Sequence, residues 1–126
     1  MILDSSAIVA ILRSEPEAAE FRRLIEAAEA VSISAATVLE VSLVVGSDRQ
    51  TLLDRFLAVC EAVIVPVDES QAVIARRAAI RFGRGSGSPA RLNFGDCFSY
   101  ALASATGEPL LCKGDDFVHT DVELAC

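Results

Sequence analysis

Asn93-Phe-Gly-Asp96-Cys-Phe-Ser-Tyr-Ala-Leu-Ala103 is the stretch on which the reading of this chain turns. Asp96 is its only charged residue. It opens an apolar run that ends at Gly107, a natural helix C-cap. Asn93 and Asp96 stand at capping-box spacing, so a helix is predicted from about Phe94 to Thr106. A carboxylate in a first turn is favoured by roughly 0.3–1 kcal/mol. Capping alone would therefore explain Asp96 if no other acid in the chain stood in a comparable place.

Working outward, short apolar runs alternate with helical patterns. Met1-Ile-Leu reads as a buried strand, and Ser5-Ser6 offers a serine N-cap to a short helix over Ala7–Arg13. Ser14-Glu-Pro-Glu17 has the form of a capping box, opening a helix that runs to about Glu29. Val31–Ser34 is a strand by β-branching, and Ala35–Val45 is a helix apolar nearly all round. Arg49–Glu61 is amphipathic, with Leu53, Phe56, Leu57 and Cys60 on one face. Ala62–Val67 is expected as a third buried strand. Asp68-Glu-Ser70 caps a helix to Phe82, with Ala75, Ala79 and Phe82 inward. Gly83–Pro89 is a flexible loop, Pro109–Cys112 a fourth strand, and Val122–Leu124 a candidate last edge strand. Strands alternating with helices predict an α/β fold, a mostly parallel sheet of four to five short strands covered on both faces. Ligands bind such sheets beyond the carboxyl ends of the strands. Asp4 follows the first strand, and Asp115-Asp116 follow the fourth.

Each acid has an ordinary explanation. Asp4 fits a helix cap as well as a site residue. Asp115 and Asp116 fit a solvated glycine turn. Glu40 is harder to explain, because it is the only charge in a helix where Val38, Leu39, Val41, Leu43 and Val44 surround it. A lone buried carboxylate costs several kcal/mol unless a cation compensates it, so Glu40 pairs with a buried arginine, lies on a helix face that is exposed after all, or meets a metal ion or its bound water. Taken together, four acidic positions are directed to one rim. Packing them there would raise their pKa values and destabilise the fold. A divalent cation such as Mg²⁺ removes that cost, and it can activate water and clamp a phosphodiester.

The 126 residues suit one domain with one core, and 52% of them are apolar. No run is long enough to span a bilayer and no basic leader precedes Met1-Ile-Leu-Asp4, which suggests a soluble cytoplasmic protein. Cys60, Cys97, Cys112 and Cys126 form no Cys-x-x-Cys pair, and His119 is the only histidine. That leaves little support for a zinc site and favours reduced, mostly buried thiols. The net charge of −7 argues against a polyanionic partner, but its distribution does not. Ser70–Gly95 holds no acid and carries Arg76, Arg77, Arg81, Arg84 and Arg91. With Lys113, these arginines are candidates for holding a polyanion.

Asp4-Ser-Ser-Ala, Glu40, the Asn93–Ala103 stretch and Leu110-Leu-Cys-Lys-Gly-Asp-Asp-Phe-Val-His-Thr-Asp121 resemble a PIN-domain ribonuclease over essentially the whole chain. More closely, they resemble the VapC-type toxins of toxin–antitoxin pairs. The resemblance implies a three-layer α/β fold over residues 1–126, a homodimer, and an endoribonuclease using Mg²⁺ or Mn²⁺ that a small cognate antitoxin neutralises. It implies Asp4 and Asp96 as metal ligands and Glu40 as the group that holds or polarises the attacking water. Attack by such a water leaves a 5′-phosphate and a 3′-hydroxyl. The resemblance also implies that the polyanion held by the arginines and Lys113 is an RNA backbone. The fourth acid is Asp115 when counted from the strand end and Asp116 when counted back from Phe117; strand-end position favours Asp115. Ser6, Asn93 and Thr120 match positions that would orient the acids from behind. Two other readings compete. In a phospho-acceptor receiver domain Asp68 would be the acceptor; an inactive PIN-like module would only bind a partner.

Overall fold

The computed structural model describes all residues from Met1 to Cys126. Strand β1 (Ile2–Leu3) leads into helix α1 (Ser5–Leu12), followed by α2 (Ala18–Ala27). Strand β2 (Ser32–Ser34) runs directly into α3 (Ala35–Val45), and a 3₁₀ turn precedes α4 (Gln50–Val59). Strand β3 (Val63–Val65), α5 (Glu69–Phe82), α6 (Phe94–Thr106) and β4 (Leu110–Leu111) complete the regular elements before a 3₁₀ turn at Asp116–His119. The four strands are parallel in the order β3-β2-β1-β4. Val122–Leu124 contributes only a bridge between Leu124 and Leu110, not a fifth strand.

Alternation along the strands creates the three layers. Leu3 and Leu111 point into one core with Ile8, Phe21, Val41 and Leu53. Ile2 and Leu110 point into the other, with Phe82, Leu92, Tyr100 and Leu102. Successive strand side chains face opposite sides, so a run as short as Ile2-Leu3 serves both cores. Helices α1–α4 cover the first face and α5–α6 the second.

Several expectations change in detail. The cap of α1 is Asp4, whose side chain accepts from the Ser6 amide, rather than a serine. No capping box forms at Ser14–Glu17: Ser14 takes a positive φ of 52°, and the Glu17 side chain does not cap α2. Strand β3 is not buried. It lies at the sheet edge, where Val63 and Ile64 are about half exposed. Helix α3 is apolar all round but not buried all round, since Leu43 is 75% exposed while Val41 and Val45 are buried. On α5 Gln71, Ala78 and Phe82 are buried and Ala75 packs against the second core, so Ala75 and Phe82 face inward as expected, whereas Ala79 is exposed toward an open groove that Ala75 also edges. No helix is long and apolar enough to cross a membrane.

Candidate active site

Because all four strands run the same way, their carboxyl ends share one rim. The pairing of Ile2 with Ser32 and of Leu3 with Leu111 sets Asp4 between Ser34 and Cys112 at that rim. Asp4 is 1% exposed, and its amide donates to the Leu111 carbonyl at 2.9 Å. Its two oxygens are used differently. Oδ2 accepts from the Ser6 amide at 3.0 Å and from the Ser6 hydroxyl at 2.5 Å. That hydroxyl in turn accepts from the Lys113 amide at 2.9 Å, tying the end of β4 to Asp4. Oδ1 is buried with no partner at all. The sequence left cap and site as alternatives for Asp4; the structure caps with one oxygen and leaves the other bare.

Asp96 is held by the predicted capping box. Its Oδ2 accepts from the Asn93 amide at 2.8 Å, and Asn93 Oδ1 accepts from the Asp96 amide at 2.9 Å. Burial pushes the Asp96 carboxyl up to about 7 against the lowering effect of the Asn93 amide, and the charges of Asp4, Asp116 and Glu40 push the same way. Glu40 is raised by burial and by Asp4, with the Ser5 hydroxyl opposing. Its Oε1 is buried and unpartnered. Three distant segments therefore bring their carboxyls within electrostatic reach of one another. None of Asp4, Glu40, Asp96, Asp115 or Asp116 forms an ion pair.

Glu40 reaches this rim only because residue 95 lacks a side chain. A Cβ on Gly95 would fall inside the Glu40 carboxyl group, against Oε2 and Cδ and 2.7 Å from Oε1. In the sequence Ser5 reads only as a candidate N-cap, and Gly95 carries no reading of its own. The signal that could have flagged Gly95 is a glycine in the second position of a helix, where it lowers helix stability by about 1 kcal/mol relative to alanine. Ser34 Oγ is also buried and unpartnered at the rim.

Other expected site residues lie elsewhere or do other work. Asp116, not Asp115, is the turn acid whose charge acts on Asp96 and Cys112. Thr120 donates to the Phe117 carbonyl at 2.7 Å, closing its own turn instead of orienting an acid. Lys113 is bound to Glu15 at 2.6 Å and Glu17 at 3.2 Å, so its ammonium is already neutralised. The arginine strip divides around α5. Arg76 and Arg84 line the groove beside α6, whereas Arg77 lies on the other flank, as does Arg81, which pairs with Asp121 at 3.3 Å. Arg91 is exposed on the loop, with a positive φ of 52°. Asp68 caps α5, its Oδ1 accepting from the Gln71 amide at 2.8 Å and the Ser70 hydroxyl at 2.9 Å.

The residues fit a hydrated divalent ion better than a closed protein cage. No three acidic, imidazole or thiol groups stand tightly enough together to enclose an ion by themselves. Mg²⁺ is commonly held by one or two carboxylates and keeps several waters. The bare Asp4 Oδ1 and the half-engaged Asp96 suit that role.

Residues 1–123 match the family profile of the PIN domain. The chain belongs to that family. Ribonuclease VapC28 of Mycobacterium tuberculosis is 50% identical to this PIN domain over 129 residues, covering 99% of the chain and 97% of that protein. Among solved structures, Mycobacterium tuberculosis VapC20, described as a sarcin–ricin loop cleaving toxin, aligns with a TM-score of 0.77 at 15% identity, covering 96% of this chain and 95% of that one. A toxin–antitoxin complex from Klebsiella pneumoniae aligns with a TM-score of 0.70 at 18% identity, covering 95% and 92%. At such identities the structural likeness speaks for the fold, and the PIN fold of this chain is the one its sheet order and layers describe.

Proposed function

We propose that this PIN domain is the toxin of a type II toxin–antitoxin pair, an endoribonuclease that hydrolyses RNA phosphodiester bonds with a divalent ion, Mg²⁺ or in its place Mn²⁺. One observation carries the reading. Two buried carboxylate oxygens, Asp4 Oδ1 and Glu40 Oε1, have no donor, and beside them Asp96 is pushed up to about 7 with no basic side chain to balance the set. Such charge is tolerable when a cation joins it. The close similarity to VapC ribonucleases supplies the substrate class.

Asp4 and Asp96 are the residues that would hold the ion, which when bound supplies Lewis acidity and a lowered pKa for attacking water. Ser6 and the Asn93 amide each occupy one oxygen of their acid, leaving the opposite oxygen without a protein donor. Glu40, raised by burial, is suited to accept and hold a proton from the attacking water. Asp116 is the fourth acid in preference to Asp115, since its charge reaches Asp96. Arg76 and Arg84, unpaired and lining the groove beside α6, are the cations assigned to the RNA backbone. The protein partner is a small cognate antitoxin, and the chain acts in the cytoplasm as a homodimer, one domain spanning 1–126. The test is cleavage of total RNA with Mg²⁺, with and without EDTA, by wild type and by Asp4→Asn and Asp96→Asn. Cleavage confined to wild type with metal, yielding 5′-phosphate ends, supports it. Undiminished cleavage by either variant rejects it.

A further inference from the structure

A second concave surface lies beside the acidic rim. It runs between α5 and α6, has a volume of about 370 Å³, and is lined by Ala72, Ala75 and Ala79 on one side and Asn93, Phe94 and Phe98 on the other. Phe94 is 82% exposed, so its ring contributes almost nothing to the core. The ring packs edge-on against Phe98 with centroids 5.0 Å apart and planes at 85°. Arg76 and Arg84 line the same groove, and unlike Arg81 they form no ion pair. The groove and the acids share one turn of helix. Asn93 lines the groove and donates to Asp96, and Cys97, the residue after Asp96, lines it as well.

An apolar floor, an exposed aromatic ring and two unpaired guanidiniums beside the acidic rim match a nucleotide. An apolar peptide laid in the groove would desolvate both guanidiniums without pairing them. A nucleotide brings a π-face for the ring and phosphates for the arginines. We propose that this groove is a subsite for one unpaired nucleobase of the RNA strand, next to the bond that is cut, with the base stacked on Phe94 and the flanking phosphates held by Arg76 and Arg84. A base inside a duplex cannot enter it, so the subsite selects single-stranded or looped RNA. This inference rests on the ribonuclease reading above.

The experiment uses the full chain with Mg²⁺ and short single-stranded oligoribonucleotides in which one abasic nucleotide is walked along the strand. With wild type, an abasic nucleotide at one position beside the cleaved bond lowers kcat/KM by about 5- to 100-fold, the range expected for one stacked base. In Phe94→Ala that position-specific loss disappears, and in Phe94→Tyr it returns. An abasic penalty of equal size in wild type and Phe94→Ala overturns the proposal. So does a Phe94→Ala variant that cleaves like wild type but binds the antitoxin more weakly, because the groove then takes a protein. A binding readout keeps this separate from the ribonuclease reading. A 2-aminopurine at the same position is quenched by wild type and not by Phe94→Ala, whether or not the strand is cut. Absence of quenching by wild type removes the subsite, whereas absence of cleavage by wild type removes the nuclease.

Discussion

Two groups of carboxylates flank residue 113, and they differ in what balances them. On one side Glu15 and Glu17 grip the Lys113 ammonium at 2.6 and 3.2 Å. Glu17 is held below its ordinary range by its own backbone amide and by Lys113. On the other side the Lys113 amide reaches Asp4 through Ser6, and there Asp4, Glu40 and Asp96 have no cation. In that group Asp96 and Glu40 are both raised, chiefly by burial. Residue type therefore does not distinguish an architectural acid from a reactive one. The distinction is whether the protein supplies the counter-charge or leaves it to a ligand.

Removing a member of the unbalanced group should cost the most activity and the least stability. Asp96→Asn and Asp4→Asn are each expected to lower RNA cleavage by about 10²- to 10⁴-fold. Circular dichroism should be unchanged and the melting temperature of the metal-free protein no lower for Asp96→Asn, since a repelling charge is gone. A collapsed fold in Asp96→Asn would mean that its charge is structural, like those of Glu15 and Glu17.

Gly95→Ala probes the same group without touching a carboxylate. The methyl group would displace the Glu40 carboxyl, the far end of a flexible side chain, so the fold accommodates it. Cleavage is expected to fall about 10- to 100-fold, the usual cost of misplacing a supported site residue, while helix propensity leaves stability level or slightly improved. In a Glu40→Ala background the Gly95→Ala loss should vanish. A loss that persists there would show that Gly95 acts through something other than Glu40.

The pH response separates the groups further. A carboxyl with a higher pKa folded than unfolded binds its proton more tightly in the native state. Stability of the metal-free protein should therefore fall as pH rises from the ordinary 3.8 through about 7 for Asp96. Thermal melts across that range check this, and saturating Mg²⁺ should flatten the decline. The smallest effect is expected from Lys113→Ala, because the pair it breaks is partly solvated. A small drop in melting temperature with cleavage nearly retained is the expected outcome, whereas a large salt-dependent loss of RNA binding would return Lys113 to the substrate.

How much of this was legible beforehand follows the range of the interactions. Helices α3 and α6 lie where their patterns put them, and the Asn93–Asp96 box and the Gly107 cap are as read, because these are contacts within a few residues. The parallel sheet followed from alternation, and the rule for strand ends put Asp4 and the Asp115-Asp116 turn at one rim; Asp96, which opens a helix, came from the motif around it. Contacts between distant segments were not legible. The Lys113–Glu15 pair joins residues 98 apart in the chain. The exposure of β3 depends on sheet order, which no local pattern states. The arginine strip looked continuous because a linear reading ignores the helical turn between Arg76 and Arg77. Asp4 remained divided between two roles because a sequence cannot show that one carboxylate oxygen caps while the other stays bare.

The most direct measurement is anomalous diffraction from crystals of the protein soaked in Mn²⁺. A manganese peak is expected at the rim, in contact with Asp4 Oδ1 and Asp96 and absent from Asp96→Asn crystals. A peak at Glu15 and Glu17 instead, or a fully occupied rim peak in Asp96→Asn, would contradict that placement.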